Sequence, residues 1–560
     1  MRFLDRFTGK KLVVPKYLKL LIIGVFVLLV AAQANKSFVL DELDFPIVSH
    51  AASETLKPIY YRGETSPMHV GTYHPTLYIN SLAAFIRVFG FNETTVRFFG
   101  VLCALLSVYL LLLILRQLIK KNEIAEILLL GFYLLNPYTI ANTTLPDIDS
   151  TVLPVVLLLF IYVALKFLLQ KNDMRERVVT ILASFFALAL WSKLTTPLII
   201  PVFLLCLTVI ISKDYIKSFL FTIKVTLLGA SIFFVTYFFY CELLGLSTTY
   251  TYTFLVASFT KGTSTGGPLV GAINNLGNFR YFVYWLTLPI IGLLGVTFLG
   301  VITEKATTKE DQIKRLLIIM SILVTFFYIA LISPFGGFFK YPFPVFGILI
   351  LGIVFFYDRH FRDGKINWLY GCLAFAFGFL IERRFWKDSM FLSQRPFAYL
   401  LFLLLIIIAS YLCLKLVSRK IAASFFMIAM LISIGFQLSI SRVQAIAPYS
   451  TKYLYGQIGL ADSTSYLRAN TAKDEPIWSM KDVGYYVHNR YYESYEYYFD
   501  KSLTRDLIRK LRGGKVRYYV VTTGIGQDNI DYYTNIKSVL NAYAVKDRQF
   551  GNFVIYKSKE

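Results

Sequence analysis

Apolar residues fall in blocks of about twenty, divided by short polar stretches, from Tyr17 to Ser441. A helix needs about 20 such residues to cross roughly 30 Å of hydrocarbon. The blocks predict thirteen spans, centred near Val25, Tyr109, Leu130, Leu159, Ala187, Leu205, Phe233, Leu293, Leu323, Ile348, Ala374, Leu405 and Ile432. Between the first two, "PTLYINSLAAFIRVFG" has apolar residues at helical spacing but is short and carries Arg87. That pattern predicts an interfacial helix in the membrane plane. From about Ala445 the pattern changes, with strand-like "KVRYYVVTTG" and "FGNFVIYKS" and a helix near "SLTRDLIRKLRGG". The expected architecture is an all-α polytopic membrane part, residues 1–444, followed by a small α/β domain, residues 445–560.

Composition agrees with the pattern. A chain that is 56% hydrophobic and 16% charged cannot hide its apolar surface in one soluble core. The net charge of +23 comes from Lys and Arg scattered between apolar blocks, not gathered on one face, so it reads as topology signals and excludes nucleic acid as the partner. With the N-terminus cytoplasmic and the first span uncleaved, "RQLIKKNE", "KFLLQKNDMRER", "SKDYIK", "TEKATTKEDQIKR", "DRHFRDGK" and "KLVSRK" are inside loops, and all are basic. One basic loop, "ERRFWKDSMFLSQR", falls outside against the rule. Thirteen spans put the C-terminal domain on the outer side, in a plasma (inner) membrane protein. All five cysteines lie in or beside apolar blocks, which gives no disulfide or zinc framework. The tyrosines of "YYVHNRYYESYEYYFD" suit sugar or interface contact, but tyrosines also fill the cores of small domains, the preferred reading.

The candidate chemistry gathers in two outer loops. The first, residues 35–96, holds Asp41, Glu42 and Asp44 just after the first span, together with His50, His69 and His74. A tight carboxylate pair at a bilayer edge invites a functional reading, with an N-cap for a following helix the lesser alternative. The second, "NPYTIANTTLPDIDS", carries Asp147 and Asp149 directly before an apolar block, where they cap that span or face the same cavity as Asp41. Imidazole with carboxylate suits a divalent ion such as zinc or manganese, which makes Glu42 and His74 the metal candidates and a divalent metal the one cofactor considered. His69 reads as an ordinary loop histidine.

In order, the Asp41-Glu42 pair, "GTYHPTLYINSLAAFIRVFGFNETTVRFFG", "NPYTIANTTLPDIDSTVLPVVLLLF" and "WSKLTTPLIIPVFLL" resemble the lipid-linked-sugar glycosyltransferases of the GT-C fold. The group is glycosyltransferase family 39, the protein O-mannosyltransferases, with the aminoarabinose (lipid A) transferases. The resemblance matches His74-Pro75-Thr76-Leu77 to the family's His-Pro-Pro-Leu stretch, Glu93 with Arg97 to its Gly-x-x-Glu turn and Arg, and Asp147 or Asp149 to its second acid. Thr76 stands where the family has its second Pro, "PDIDS" offers two acids for one, and no Trp-Trp-Asp motif is present, unlike the oligosaccharyltransferases. The motifs cover roughly the first 215 residues. Lys340, in "GGFFKYPFPVFGILILG", is similar to the family's basic-Tyr-Pro stretch opening a late span.

The resemblance implies transfer of a sugar from a polyprenyl-phosphate donor to a lipid, glycan or protein acceptor on the extracytoplasmic face, with inversion. Such a transfer needs a carboxylate to take the acceptor's proton and cations to steady the departing phosphate. Asp41 is the candidate base and Glu42 its orienter or a metal ligand. His74, Arg97, Lys340 and Arg62 are the candidate substrate-binding residues, with Arg62 and also Lys193 the weaker alternatives. Arg97 reads more readily as structural, and a lone Lys at a span end can simply snorkel. The rival class, a transporter or flippase of lipid-linked saccharides, needs charges or broken helices near the midplane in two repeats. A membrane scaffold displaying the tail would leave Asp41 and Glu42 without a purpose.

Overall fold

The computed structural model describes residues 16–36, 38, 43–58, 74–171, 173–248, 286–328, 340–362, 396–416, 419–446, 458–472, 475, 477–479, 481–488, 508–509, 511–513, 516–523 and 536–559. Asp41, Glu42, Arg62, His69 and the span expected near Ala374 lie outside them.

Twelve of the thirteen expected span centres fall inside helices. These are α1 (Lys16–Ala31), α4 (Glu93–Leu118), α5 (Glu123–Leu134), α7 (Val152–Ala164), α8 (Glu176–Ser192), α9 (Ile199–Ser212), α10 (Tyr215–Leu244), α11 (Leu288–Thr303), α12 (Lys309–Phe326), α13 (Phe343–Phe361), α14 (Pro396–Leu416) and α15 (Arg419–Ile446). By length and composition, four among the described residues can cross a membrane alone: α4, α7 with its π-helical extension Leu165–Gln170, α10 and α13. The remaining elements of this part are α2 (Asp44–Thr55), α3 (Leu77–Phe89) and α6 (Pro137–Thr144). One large cluster of buried aliphatic and aromatic side chains runs through the bundle from α1 to α15, including Phe26, Leu111, Phe132, Leu182 and Ile350.

The helix expected within "PTLYINSLAAFIRVFG" is α3. It packs on α2 through Val48, Ala52, Ile79 and Ala83 and ends at Gly90 with φ 82°, in the positive-φ region that suits glycine. Helix α2 has Leu43 at its N-cap, with no side-chain cap bond, so Asp41 does not hold the capping position there.

Beyond α16 (Leu460–Asn470) and α17 (Lys481–His488) lies a four-stranded sheet in the order β1-β2-β4-β3. Strands β1 (Ile477–Trp478) and β2 (Tyr518–Thr522) are parallel, while β4 (Phe553–Ser558) pairs antiparallel with β2 and with β3 (Ala544–Phe550). Tyr518, Tyr519 and Tyr556 are buried in the sheet. Helix α17 touches the first connecting loop: Tyr485 packs on Phe38 and Phe91, and the Tyr486 hydroxyl accepts from the Phe38 amide.

Candidate active site at the α6–α7 bend

Between α5 and α7 the chain is bent at a break between two helices. Asn136 accepts from the Tyr138 amide at 2.9 Å and Pro137 opens α6, so the chain turns by 53° between α5 and α6. After α6 the backbone makes a compact turn. Asp147 Oδ1 accepts from the Asp149 amide at 2.9 Å, and the Ser150 and Thr151 hydroxyls donate to the Asp147 carbonyl at 3.1 and 2.6 Å. Helix α7 then starts with Thr151 as a cap residue that makes no side-chain cap bond. Neither acid caps the span. Both are buried, Asp147 at 4% and Asp149 at 3% exposure, although the sequence places them in a polar loop.

Two ammonium groups meet them. Lys193, next after α8, lies 2.7 Å from both oxygens of Asp149, and Lys340, shortly before α13, lies 2.6 Å from Asp147 Oδ2. Tyr328 and Tyr341 stack with centroids 5.7 Å apart, and the Lys193 ammonium sits 5.4 and 4.9 Å from their rings. Tyr328 also shares hydrogen bonds with Thr195 and Thr196. Burial raises the Asp147 pKa, but the charge and hydrogen bond of Lys340 outweigh it and hold the carboxyl below its ordinary range. For Asp149, burial and the neighbouring Asp147 charge win over Lys193, so its pKa is raised.

His74 lies in the field of the same cluster. Burial, then the charge of Lys193, lowers its pKa to about 3 against the opposing pull of Asp147, so the imidazole is neutral. Thr76, where the family pattern has proline, is buried and accepts from Asn80 Nδ2 at 3.1 Å, while Asn80 Oδ1 accepts from the Tyr240 hydroxyl. Arg97 is 1% exposed and donates to three backbone carbonyls: Thr144 and Ala34, both at 3.1 Å, and Lys36. Its guanidinium lies 5.2 Å from the Phe38 ring centroid. It ties the chain leaving α1 to the end of α6.

Among the described residues, no three His, Cys, Asp or Glu side chains converge as ligands of a cation would. His74 faces two ammonium groups, a poor setting for a divalent ion, and Glu42 lies outside the described residues.

Residues 73–240, under a third of the chain, match the family described as dolichyl-phosphate-mannose-protein mannosyltransferase. No curated protein sequence matches the chain. The crystal structure of ArnT from Cupriavidus metallidurans bound to undecaprenyl phosphate superposes with a TM-score of 0.60 at 13% identity, covering 96% of this chain and 97% of that one. Its apo form gives 0.59 at 13% identity over the same shares. The chain has the GT-C fold of the protein mannosyltransferase and ArnT type. Within this GT-C chain, the family match takes in His74, Arg97, Asp147, Asp149 and Lys193, and leaves out Asp41, Glu42 and Lys340.

Sequence reasoning ranked Lys193 low and did not single out Tyr328 or Tyr341. The signal for Lys193 was its place between α8 and the Thr-Thr-Pro of the next helix: a lysine between two apolar blocks with no acid near it in sequence. Its partner, Asp149, is 44 residues away.

Proposed function

We propose that the chain is a membrane glycosyltransferase that takes a sugar from a polyprenyl-phosphate donor, on the extracytoplasmic face and with inversion, to an envelope lipid, glycan or protein acceptor. The observation that carries this reading is the buried Lys340–Asp147 pair beside Asp149, Lys193 and His74, at one end of a GT-C bundle. A departing lipid phosphate needs cations fixed in a water-poor setting, where their charge acts most strongly. Lys340, at 12% side-chain exposure, is the more open of the two ammonium groups and is assigned to the phosphate. Asp147 holds it in place, and the Lys193–Asp149 pair fixes the segment behind it.

Asp41 is assigned as the base that takes the acceptor's proton, with Glu42 orienting it. His74, being neutral, contributes a hydrogen bond and no charge. Arg97 is assigned to positioning, since it grips the carbonyls of Ala34 and Lys36 a few residues before Asp41. Arg62 stays a candidate for the donor as a cation of the first outer loop, and a divalent ion at Glu42 one on donor chemistry, and no step is routed through either. The outer placement rests on the basic loops at the opposite helix ends.

The test is purified full-length protein given polyprenyl-phosphate sugars and cell-envelope acceptors, with release of polyprenyl phosphate as the readout. Donor-dependent release that the folded double variant Lys340→Ala with Asp147→Asn loses supports the reading. Movement of intact donor across a vesicle membrane without release would replace it with the flippase class.

A further inference from the structure

Helix α13 carries Lys340 just before one end and a second charged cluster at the other. Helix α13 itself is 19 residues, about 28 Å long, so it separates the two clusters by about the thickness of a hydrocarbon core. At the far end, a cleft of about 50 Å³ opens between α11, α12 and α13. That is room for several waters or one phosphate group. Glu304, Asp311, Lys314, Arg315, Arg359 and His360 line it.

Most of these charges are already matched. Glu304 meets Arg359 and His360 at 3.0 Å each, and Asp311 meets Lys314 at 3.3 Å. Arg315 differs: its Nη2 is buried and donates no hydrogen bond. Three cations against two carboxylates leave one positive charge before His360 is counted. We propose that this cleft binds the phosphate of an anionic lipid in the leaflet opposite the Lys340–Asp147 site, with Arg315 as its central contact and Lys314 and Arg359 beside it.

The bland alternative is a set of basic residues that only marks topology. A topology signal works from solvent, whereas a buried guanidinium N–H without an acceptor carries a desolvation cost that an anion would relieve. A lipid suits the surroundings better than a free ion. Val301, Ile318 and Phe356 line the cleft, and Phe298, Ile302 and Ile319 on α11 and α12 are exposed. The connections at this end, "TEKATTKEDQIKR" and "DRHFRDGK", are basic, which puts it on the cytoplasmic side, where anionic lipids gather.

The test uses the full chain purified in neutral detergent and titrated with phosphatidylglycerol, phosphatidylcholine or inorganic phosphate. Melting temperature and lipid retained in native mass spectrometry are the readouts. Phosphatidylglycerol should be retained and raise the melting temperature, and Arg315→Gln should weaken that binding about tenfold, the loss of one charge-assisted hydrogen bond. Arg175→Gln, which removes an exposed charge from another basic loop, should leave it unchanged. If Arg315→Gln does not fold, Lys314→Gln, whose side chain is 21% exposed, carries the same comparison. Equal retention by wild type and variant, an equal loss in Arg175→Gln, or a full shift with inorganic phosphate alone would each overturn the lipid site.

Discussion

Lys193 holds Asp149 by both carboxylate oxygens, 2.7 Å each, across 44 residues of sequence and with both side chains almost fully buried. Burial alone would lower the lysine pKa, but Asp149 and the two tyrosine rings keep it raised, so the ammonium stays charged. Removing one partner leaves an uncompensated buried charge. Lys193→Met should therefore cost about 3–5 kcal/mol, while Lys193→Met with Asp149→Asn should recover much of it. Thermal or chaotrope unfolding in detergent reads this directly. Equal stability of the single and double variants would show that the pair is not coupled.

Lys340 is expected from sequence as a cation for the donor phosphate, or as a lysine that only snorkels. The structure changes the design of the test between them, because Lys340 is the partner of buried Asp147. Lys340→Ala alone should destabilise by a few kcal/mol as well as impair donor use. The double variant Lys340→Ala with Asp147→Asn should regain stability and still turn over at least about tenfold more slowly, if the ammonium serves the phosphate. Wild-type turnover in the folded double variant would reduce Lys340 to a structural role.

Arg97 donates to carbonyls of Ala34, Lys36 and Thr144, and a lysine cannot reproduce that fork. Arg97→Lys should lower stability by about 2–4 kcal/mol through carbonyls left unpaired in a buried place. The loss should appear in the melting curve of the protein without substrate. A variant with unchanged melting and lost turnover would move Arg97 from positioning to catalysis.

The neutral imidazole of His74 gives a pH dependence with a definite sign. Its folded pKa is lowered from 6.5 to about 3, so below pH 6.5 the unfolded chain takes up a proton that the native state refuses. The stability due to this residue is complete above pH 6.5 and is lost as pH falls towards 3. By pH 4 the loss should reach up to about 3 kcal/mol. His74→Gln should flatten the fall in melting temperature between pH 6.5 and 4 relative to wild type, and parallel curves would remove the effect.

The bundle was legible because a span must be apolar along its whole length, and that signal survives without any knowledge of neighbours. Helix α3 was legible for the same local reason, its spacing and its single Arg87. The ion-pair cluster was only half legible. Asp147 and Asp149 stood out as acids beside an apolar block, but their burial comes from the Asn136-Pro137 break that carries α6 inward. Their partners arrive from α8 and α13, and no periodicity links residues 44 and 193 positions apart. The sequence of "DRHFRDGK" read as a topology signal, and the cleft that Arg359 and His360 share with Arg315 follows from packing of three helices.

The acid pair of "DELDFP" yields the sharpest test. Helix α2 begins at Asp44 with Leu43 at its cap position, so the acid that belongs to the helix terminus is Asp44, in the first turn. Asp44→Asn should cost no more than about 1 kcal/mol of stability, through the helix dipole, and leave turnover nearly intact. Asp41→Asn keeps size and hydrogen-bonding shape but removes the charge and the basic lone pair. If Asp41 takes the acceptor's proton, turnover should fall on the order of 10²- to 10⁴-fold with little change in melting. A capping role predicts the reverse, since Asn caps a helix about as well as Asp. Transfer rate and melting curve of both variants, measured on the same purified preparations, separate the two roles. An active Asp41→Asn enzyme would leave the base to be sought at Asp149, the buried carboxyl whose pKa its surroundings raise.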